Sequence, residues 1–353
     1  MTQKVLFGTA GVGKSYRVEK ELVCKELGIC IENENGKYNI GTEEASKKVD
    51  VDYTNCIKTV FHPEYTYRDF MVKLSPLTTQ DNQVRYEHNE GDFLKALAKA
   101  YKNILESANT KNVALVIDEI NRGNSAEIFG TVFQLLDRDD DGWSSYPINL
   151  SNMEFNKLIE LIGIEKTEVK ENNKLREIKF KFNAQDITHH EIKSLLLNKQ
   201  IKLPPNLSII ATMNTSDESI YYMDSAFKRR WDWEYIDISN TNNQKMKQLA
   251  NKEADINNWE RFIDNLNNFI KSHAKSIRKV EDKLIGYWFI KYHEEMTNRP
   301  IQNKLMFFLW DNVFARDKKP LRELLEVEEK ELITFGDFTL RVEDFIAEIN
   351  KKK

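Results

Sequence analysis

Short runs of consecutive apolar residues recur along the first two thirds of the chain. They lie at KVLFG (4–8), CIKTVF (56–61), NVALVID (112–118), NLSIIATM (206–213) and EYIDI (234–238). A strand covered by helices on both faces is apolar throughout rather than alternating, as in parallel sheets. Helical spacing of apolar residues occupies 14–27, 91–107 and 124–136, between these runs. The pattern therefore predicts an α/β fold built on one mostly parallel sheet.

Two further regions differ from this alternation. Residues 150 to about 203 are charged and Asn-rich, with KLREIKFKFNAQDI (174–187) indicating a hairpin, and we interpret them as an insertion. From about residue 243 the pattern is helical. Its apolar residues recur at i, i+3 and i+4; they are Trp259, Phe262, Leu266, Phe269 and Ile270. We predict an α/β domain over 1–240 and a helical subdomain over 241–353.

Composition excludes several classes of protein. The formal net charge of the 353 residues is -4, so no overall basic field favours nucleic acid, and any such contact must be local. Cys24, Cys30 and Cys56 show no C-x-x-C pair and no zinc-ligand spacing, which favours free thiols in a reducing cytosol. No apolar run approaches the length of a membrane span, and the N-terminus lacks a signal-peptide layout. We expect a cytoplasmic protein.

The segment GTAGVGKS (8–15) matches the phosphate-binding pattern G-x-x-x-x-G-K-[ST] in full, between a strand-like and a helix-like run. Backbone N–H groups of such a loop surround nucleotide phosphates at the positive end of the following helix. Lys14 would reach the β- and γ-phosphates, and the Ser15 hydroxyl would bind Mg²⁺. The alternative is a glycine-rich turn without a ligand. The predicted nucleotide-binding residues are Gly8, Thr9, Ala10, Gly11, Val12, Gly13, Lys14, Ser15 and Tyr16.

The segment ALVIDEINRGN (114–124) supplies an acidic motif at the end of an apolar run. A carboxylate there can lie opposite the phosphate loop, so Asp118 is predicted to hold Mg²⁺ together with Ser15. Glu119 could polarise the attacking water, which is the usual role of a second carboxylate. The alternative is an ordinary acidic pair at the end of a strand.

A third apolar run ends in polar residues at IIATMNTSD (209–217). Asn214 would project beside the γ-phosphate and hydrogen-bond the phosphate or the lytic water. Asp217 could orient that water network or an arginine. Without the other two motifs, an asparagine after a strand would be read as a turn residue.

The segment MDSAFKRRWDWEYIDI (223–238) contains a short helix that Asp224 can cap and that Arg229 and Arg230 end. Cations at a helix C-terminus can simply compensate the helix dipole. Alternatively, one of these arginines reaches the γ-phosphate of a neighbouring subunit as an arginine finger.

Taken together, seven segments resemble the AAA+ GTPase domain of the McrB family, the motor of modification-dependent restriction systems. They are GTAGVGKS, FHPEYTYRDFM (61–71), EGDFLKALAKA (90–100), DEINRGN (118–124), MNTSD (213–217), FKRRW (227–231) and LIGYWFI (284–290). The resemblance implies a P-loop NTPase sheet of order 5-1-4-3-2 with helices on both faces and a C-terminal helical lid. It also implies a hexameric ring, GTP as preferred substrate with Mg²⁺ and ATP as the alternative, and an McrC-like nuclease partner that stimulates hydrolysis.

Residue roles follow from the same resemblance. It implies that Asn121 acts around the γ-phosphate together with Asn214 and Asp217, and that Arg229 or Arg230 acts between subunits. The segment that reads guanine is not evident, and Tyr16 and Tyr287 are candidates for contact with the base.

Family members usually carry a DNA-reading domain before the phosphate-loop strand, so we expect DNA recognition from a separate domain or partner. The basic stretches 174–182 and 271–279 would give at most weak, salt-sensitive contact. Two other functions stay open: an ATP-dependent AAA+ protein remodeller, and a nucleotide-gated assembly module with slow hydrolysis.

Overall fold

The computed structural model describes residues 1–32, 49–78, 81–106, 109–171, 174–215, 221–238, 256–290 and 298–352. By their internal contacts the described residues divide into two compact units. The first unit comprises described residues among 1–6, 15–213 and 219–234, and the second comprises those among 7–14, 214–218 and 235–353.

The first unit is built on a sheet of five strands formed by described residues. In chain order they are β1 (Gln3–Gly8), β2 (Cys56–Val60), β3 (Val113–Asp118), β4 (Leu207–Asn214) and β5 (Asp232–Tyr235). Their order across the sheet is β5-β1-β4-β3-β2. β3 pairs in parallel with both β2 and β4. The last residues of β1, β4 and β5 belong by their contacts to the second unit.

The predicted strands coincide with these five, with one correction at the last. EYIDI (234–238) was expected as a strand, whereas β5 covers Asp232–Tyr235 and ends before Ile236. One ladder bond continues past this end, because the Ile236 N–H donates to the Phe7 carbonyl of β1 at 2.8 Å. Beyond it, the Ile238 N–H donates to the Asp237 carboxylate at 2.7 Å. A local side-chain acceptor of this kind competes with the strand ladder for the backbone donor.

Helices flank the strands of the first unit at the three predicted places, and one further helix, Tyr67–Phe70, was not predicted. They are Lys14–Tyr16 continued by Arg17–Glu26 in wider π-type turns, Tyr67–Phe70, Asp92–Glu106, and Ser125–Phe129 continued by the 3₁₀ turns Gly130–Leu136. The helix Asp92–Glu106 buries one side, including Phe93, Leu97 and Tyr101, in the same apolar core as Leu115 and Ile117 of β3. Covering of this kind explains why β3 is apolar along its whole interior.

The segment 150–203, interpreted above as an insertion, has its own secondary structure and lies in the first unit. Its helix Asn152–Ile162 begins at a capping box formed by Ser151 and Glu154. Its elements continue with the strands Ile164–Glu171, Lys174–Phe182 and Gln185–Asp186 and the helix His190–Asn198. The strand Lys174–Phe182 pairs antiparallel with both neighbouring strands. The predicted hairpin is therefore confirmed.

Three small two-stranded sheets complete the described strands. They pair Cys30–Glu32 with Val49–Val51, Val72–Thr78 with Val84–Glu90, and Ile148–Asn149 with Gln200–Ile201.

The second unit is mainly helical over the described residues among 235–353. Its helices are Ile256–Ser272, Val280–Lys283 (3₁₀), Asn298–Pro300 continued by Ile301–Met306 and Leu309–Val313, Lys319–Leu325, Glu329–Glu331 (3₁₀), Phe335–Thr339 and Val342–Lys351. The five predicted apolar residues of the helix Ile256–Ser272 are all buried in one core with Leu305 and Phe345. Among the described helices, none combines the length and apolar character needed to cross a bilayer.

A buried asparagine joins the helix Ile256–Ser272 to the segment LIGYWFI (284–290). The Asn267 side chain donates to the Ile285 carbonyl at 2.8 Å and accepts from the Ile285 N–H at 2.9 Å. Asn267 is 4% exposed, so water cannot easily replace these bonds. The amide therefore fixes the backbone one residue before Gly286.

We expect Asn267→Ala to destabilise the second unit by about 2–3 kcal/mol, because two buried hydrogen bonds are lost and both backbone groups of Ile285 lose their partner. Urea unfolding followed by tryptophan fluorescence measures this. The control is Asn268→Ala, which removes an exposed asparagine from the adjacent position of the same helix. Equal unfolding midpoints for the two variants would contradict the bracing role.

Candidate functional site

The predicted phosphate loop lies in the second unit, and its lysine is directed into the loop. The Lys14 ammonium donates to the carbonyls of Gly8 at 2.9 Å and Thr9 at 2.8 Å. Lys14 is only 8% exposed, although lysine is among the residues least often buried. The positive charge of Lys14 thus lies against two carbonyls of its own loop.

The other features of this loop fit an anionic ligand. Gly11 and Gly13 have φ of 81° and 82°, a region that favours glycine and turns successive N–H groups toward one side. The Thr9 hydroxyl is buried, and it has no hydrogen-bond partner among the described residues. A lysine, a hydroxyl and backbone N–H groups are the donor types that phosphate oxygens accept from.

The segment LIGYWFI (284–290) is hydrogen-bonded to the back of the phosphate loop within the second unit. The Gly286 N–H donates to the Ala10 carbonyl at 3.0 Å, and the Trp288 N–H donates to the Gly11 carbonyl at 2.9 Å. The approach is so close that a Cβ on Gly286 would lie 2.6 Å from the Val12 nitrogen, and one on Gly11 would lie 2.5 Å from the Phe289 nitrogen. We call these two hydrogen bonds the loop tether.

The acidic pair lies at the end of β3, in the first unit. The Asp118 carboxylate is half-buried and accepts a hydrogen bond from the Thr212 hydroxyl at 2.9 Å. Glu119 follows in the left-handed conformation with φ 56°, and its N–H donates to the same Thr212 oxygen at 3.3 Å. The strand end therefore presents two consecutive carboxylates whose backbone turns sharply between them.

Two of the predicted polar residues are described in different surroundings. Asn121 is 1% exposed, and its backbone carbonyl accepts a hydrogen bond from the Tyr221 N–H at 2.9 Å within the first unit. Asn214 is half-buried in the second unit, and the following Thr215 N–H donates to the Gly8 carbonyl at 3.4 Å. Asp217 lies outside the described residues.

The remaining predicted ligands differ in exposure. Ser15 and Tyr16 are exposed at the start of the helix that follows the loop, in the first unit. Ser15 and Asp118 supply a hydroxyl and a carboxylate oxygen, which are the donor types that Mg²⁺ prefers. Tyr287 is buried in the second unit, and its hydroxyl donates to the Asp264 carboxylate at 2.7 Å. Burial raises the pKa of this phenol, and the Asp264 charge raises it further.

The two candidate arginines have different environments, although they are adjacent. The helix Ser225–Lys228 is capped as predicted, because the Asp224 carboxylate accepts from the Phe227 N–H at 2.6 Å. Arg230 then donates two hydrogen bonds to Asp137, at 2.9 and 2.6 Å, and its guanidinium lies 4.0 Å from the centre of the Phe133 ring. Arg229 is exposed. Arg230 is thus bound within its own unit, whereas Arg229 extends toward solvent.

Sequence reasoning missed three of these contacts. It did not single out Thr212, whose only signal is a hydroxyl within the apolar run IIATM (209–213). It did not anticipate the loop tether, nor Asp137 as the partner of Arg230. Each of these contacts joins residues that are distant in the chain, so it could not be predicted from the spacing of neighbouring residues.

Comparisons with known proteins find relatives of this chain among restriction enzymes. No protein-family model matches the chain. It is 27% identical over 339 residues to a protein named type II restriction enzyme BsuMI component YdiS, from Bacillus subtilis, covering 89% of this chain and 80% of that protein. It is 24% identical over 273 residues to the type IV methyl-directed restriction enzyme EcoKMcrB subunit of Escherichia coli, covering 77% of this chain. The match spans 43% of the McrB subunit, less than half of its length.

Among solved structures, a putative ATPase from Cytophaga hutchinsonii is similar over 96% of this chain and 83% of its own. Its TM-score is 0.28 at 12% sequence identity, which is too low to support a conclusion.

If the loop binds nucleotide as predicted, Gly286→Ala should weaken that binding by at least about tenfold, because the added methyl group must displace the loop whose N–H groups would bind the phosphates. Calorimetric titration with a non-hydrolysable GTP analogue measures the affinity, and far-UV circular dichroism checks folding. Gly336→Ala is the control, since its Cβ would meet only the Thr334 hydroxyl at 3.4 Å. Unchanged affinity in Gly286→Ala would show that the tether does not set the loop conformation.

Proposed function

We propose that this McrB-like chain is the Mg²⁺-dependent GTPase motor of a restriction system. In this proposal it forms a ring, hydrolyses GTP between subunits, and drives or regulates a partner nuclease on DNA. Its sequence similarity to a restriction enzyme component and to an McrB subunit supports the restriction role.

The observation that carries the nucleotide part of the proposal is the position of Lys14. Lys14 is 8% exposed, and its ammonium donates to the Gly8 and Thr9 carbonyls inside a complete phosphate-binding motif. A lysine inside a loop of this pattern donates hydrogen bonds to the phosphate oxygens of a bound triphosphate. The loop N–H groups would bind the same oxygens.

The proposed chemistry assigns one task to each residue of the acidic pair. Asp118 and Ser15 would hold Mg²⁺, which neutralises charge on the phosphates when it is bound. Glu119 would accept a proton from the attacking water, and Asn121, Asn214 and Asp217 would orient the water and the γ-phosphate. The acidic pair and Asn121 lie in the first unit at the carboxyl end of the parallel strand β3. Ligands of open α/β sheets bind beyond such strand ends, which supports this part of the proposal.

The contrast between the two arginines supports Arg229 as the residue that acts in a neighbouring subunit. Arg230 has the Asp137 carboxylate and the Phe133 face as partners in its own subunit. Arg229 is exposed two residues before the buried Trp231, on an ordered helix end. Stabilisation of the transition-state charge by an arginine supplied in trans requires such an exposed, well-positioned guanidinium.

Partners and DNA recognition complete the proposal. The relatives are named as a component and a subunit of restriction enzymes, which supports a system of several components. We propose an McrC-like nuclease as the partner that stimulates hydrolysis. We further propose that a separate domain or polypeptide reads the modified DNA, because the net charge of -4 does not favour an extended DNA-binding surface.

We expect Glu119→Gln to bind GTP and Mg²⁺ while hydrolysing GTP about 100-fold more slowly, since a lost general base typically costs this much. Phosphate release from GTP and from ATP, measured in parallel, checks both the rate and the preferred nucleotide. The control is Glu127→Gln, which neutralises an exposed glutamate eight residues further on.

Wild-type turnover in Glu119→Gln would refute the assignment of the base. Faster hydrolysis of ATP than of GTP by the wild-type chain would instead favour the ATP-dependent remodeller, and slow hydrolysis of both with nucleotide-dependent assembly would favour the assembly module.

We expect Arg229→Ala to lower turnover on the order of 10³-fold, as removal of an arginine finger does, with little effect on stability. Mixing it with Glu119→Gln should restore activity, because some interfaces then combine an intact Glu119 with an intact Arg229 from the neighbour. Phosphate release from the mixture measures the restoration.

Arg230→Ala is the matched variant in this test. Arg230→Ala should lower the unfolding temperature, because Asp137 loses its partner. Turnover of the folded Arg230→Ala variant should still depend on Arg229. No recovery in the mixture of Arg229→Ala with Glu119→Gln would contradict an arginine acting in trans.

A further inference from the structure

Thr212 lies in the last part of β4, beside the acidic end of β3. The two strands pair in parallel up to Ala211 and Ile117, so the next residues, Thr212 and Asp118, come side by side. Thr212 is 3% exposed and follows the buried residues Leu207–Ala211. A hydroxyl at this depth requires hydrogen-bond partners, since a buried polar group without them is destabilising.

Thr212 contacts three consecutive residues of the acidic motif. Its hydroxyl donates to Asp118 Oδ1 at 2.9 Å and accepts from the Glu119 N–H at 3.3 Å. Its carbonyl accepts from the Ile120 N–H at 3.0 Å. One hydroxyl has one donor and two acceptor sites, so both of its bonds can exist together.

The conformation of Glu119 shows what these bonds hold in place. Its φ of 56° lies in the left-handed region, which is unfavourable for a residue with a Cβ and persists when surrounding contacts enforce it. The Glu119 N–H is bound by Thr212, and its carbonyl accepts from the Arg122 N–H at 2.9 Å. The direction in which the Glu119 side chain leaves the backbone therefore depends on the Thr212 hydroxyl.

We infer that Thr212 is a positioning residue for hydrolysis, which orients Asp118 through its carboxylate and Glu119 through its backbone. This inference rests on the proposed function of the acidic pair. Thr212 does not contact the reacting atoms in this account. It acts because a small misplacement of reacting groups can lower a rate by a large factor.

The test compares Thr212→Val, which keeps the shape and removes the hydroxyl, with Thr212→Ser, which keeps the hydroxyl. The matched control is Thr59→Val, the same substitution at a buried threonine of β2, whose hydroxyl bonds Tyr65 rather than the acidic pair. Thr212→Val should lower kcat for GTP by about 100-fold with KM changed by less than about threefold. Thr212→Ser and Thr59→Val should each keep kcat within about threefold of the wild type.

A second measurement tests the hydrogen bond from the Glu119 N–H to the Thr212 hydroxyl in the absence of nucleotide. Hydrogen–deuterium exchange of the Glu119 amide should become at least about tenfold faster in Thr212→Val, and not in Thr59→Val, because its acceptor is lost. Wild-type kcat in Thr212→Val, or equal losses of kcat in the Val and Ser variants, would overturn the inference while leaving the proposed function intact. A wild-type chain that hydrolyses neither GTP nor ATP would overturn the proposed function, and the inference with it.

Discussion

A strand covered on both faces cannot carry a charge in its interior, and this constraint determines where polar chemistry can occur in the first unit. Val113 to Ile117 of β3 are all buried, and Asp118 is the first residue of that run with a charge. The same holds for β4, where the buried run ends two residues before Asn214. Burial of an unpaired carboxylate would cost more than one such strand contributes, so charged side chains must follow the apolar runs.

Because of that constraint, the strands and the carboxylates that follow them could be predicted from the sequence. Runs rich in apolar residues marked β1 to β4 closely, and the residues after three of them supplied the candidate ligands. There is no charged residue before the last position of β3 and none in β4, whereas the runs of β1 and β2 include Lys4 and Lys58. The last strand was the exception, because the apolar pattern predicted a strand through Ile238, whereas β5 ends at Tyr235 and the Ile238 N–H is bound by the Asp237 carboxylate. The pattern of apolar residues indicates which positions are buried. It does not indicate where a nearby side chain competes for a backbone N–H group.

The contacts that set the orientation of the site could not be predicted, because they join distant positions. Thr212 and Asp118 are 94 residues apart, and Arg230 and Asp137 are 93 apart. Which threonine lies beside which carboxylate depends on strand register, and a register shift of one residue would turn Thr212 to the other face. The distinction between Arg229 and Arg230 likewise arises from packing on Phe133, which sequence spacing does not contain.

The sequence of the predicted phosphate loop meets two requirements, the phosphate-binding pattern and close packing against the segment 284–290. Gly8 and Gly13 are the glycines that the phosphate-binding pattern requires, whereas Gly11 occupies a variable position of that pattern. Its φ of 81° and the 2.5 Å between its added Cβ and the Phe289 nitrogen explain it by packing against the tether segment. A residue with a side chain at position 11 would therefore separate the loop from Phe289 even where it tolerated the phosphate. Within the second unit, the loop that would bind the nucleotide is thus also the surface on which the LIGYWFI segment packs, and the two hydrogen bonds of the loop tether couple the backbone of that segment to the backbone of the loop.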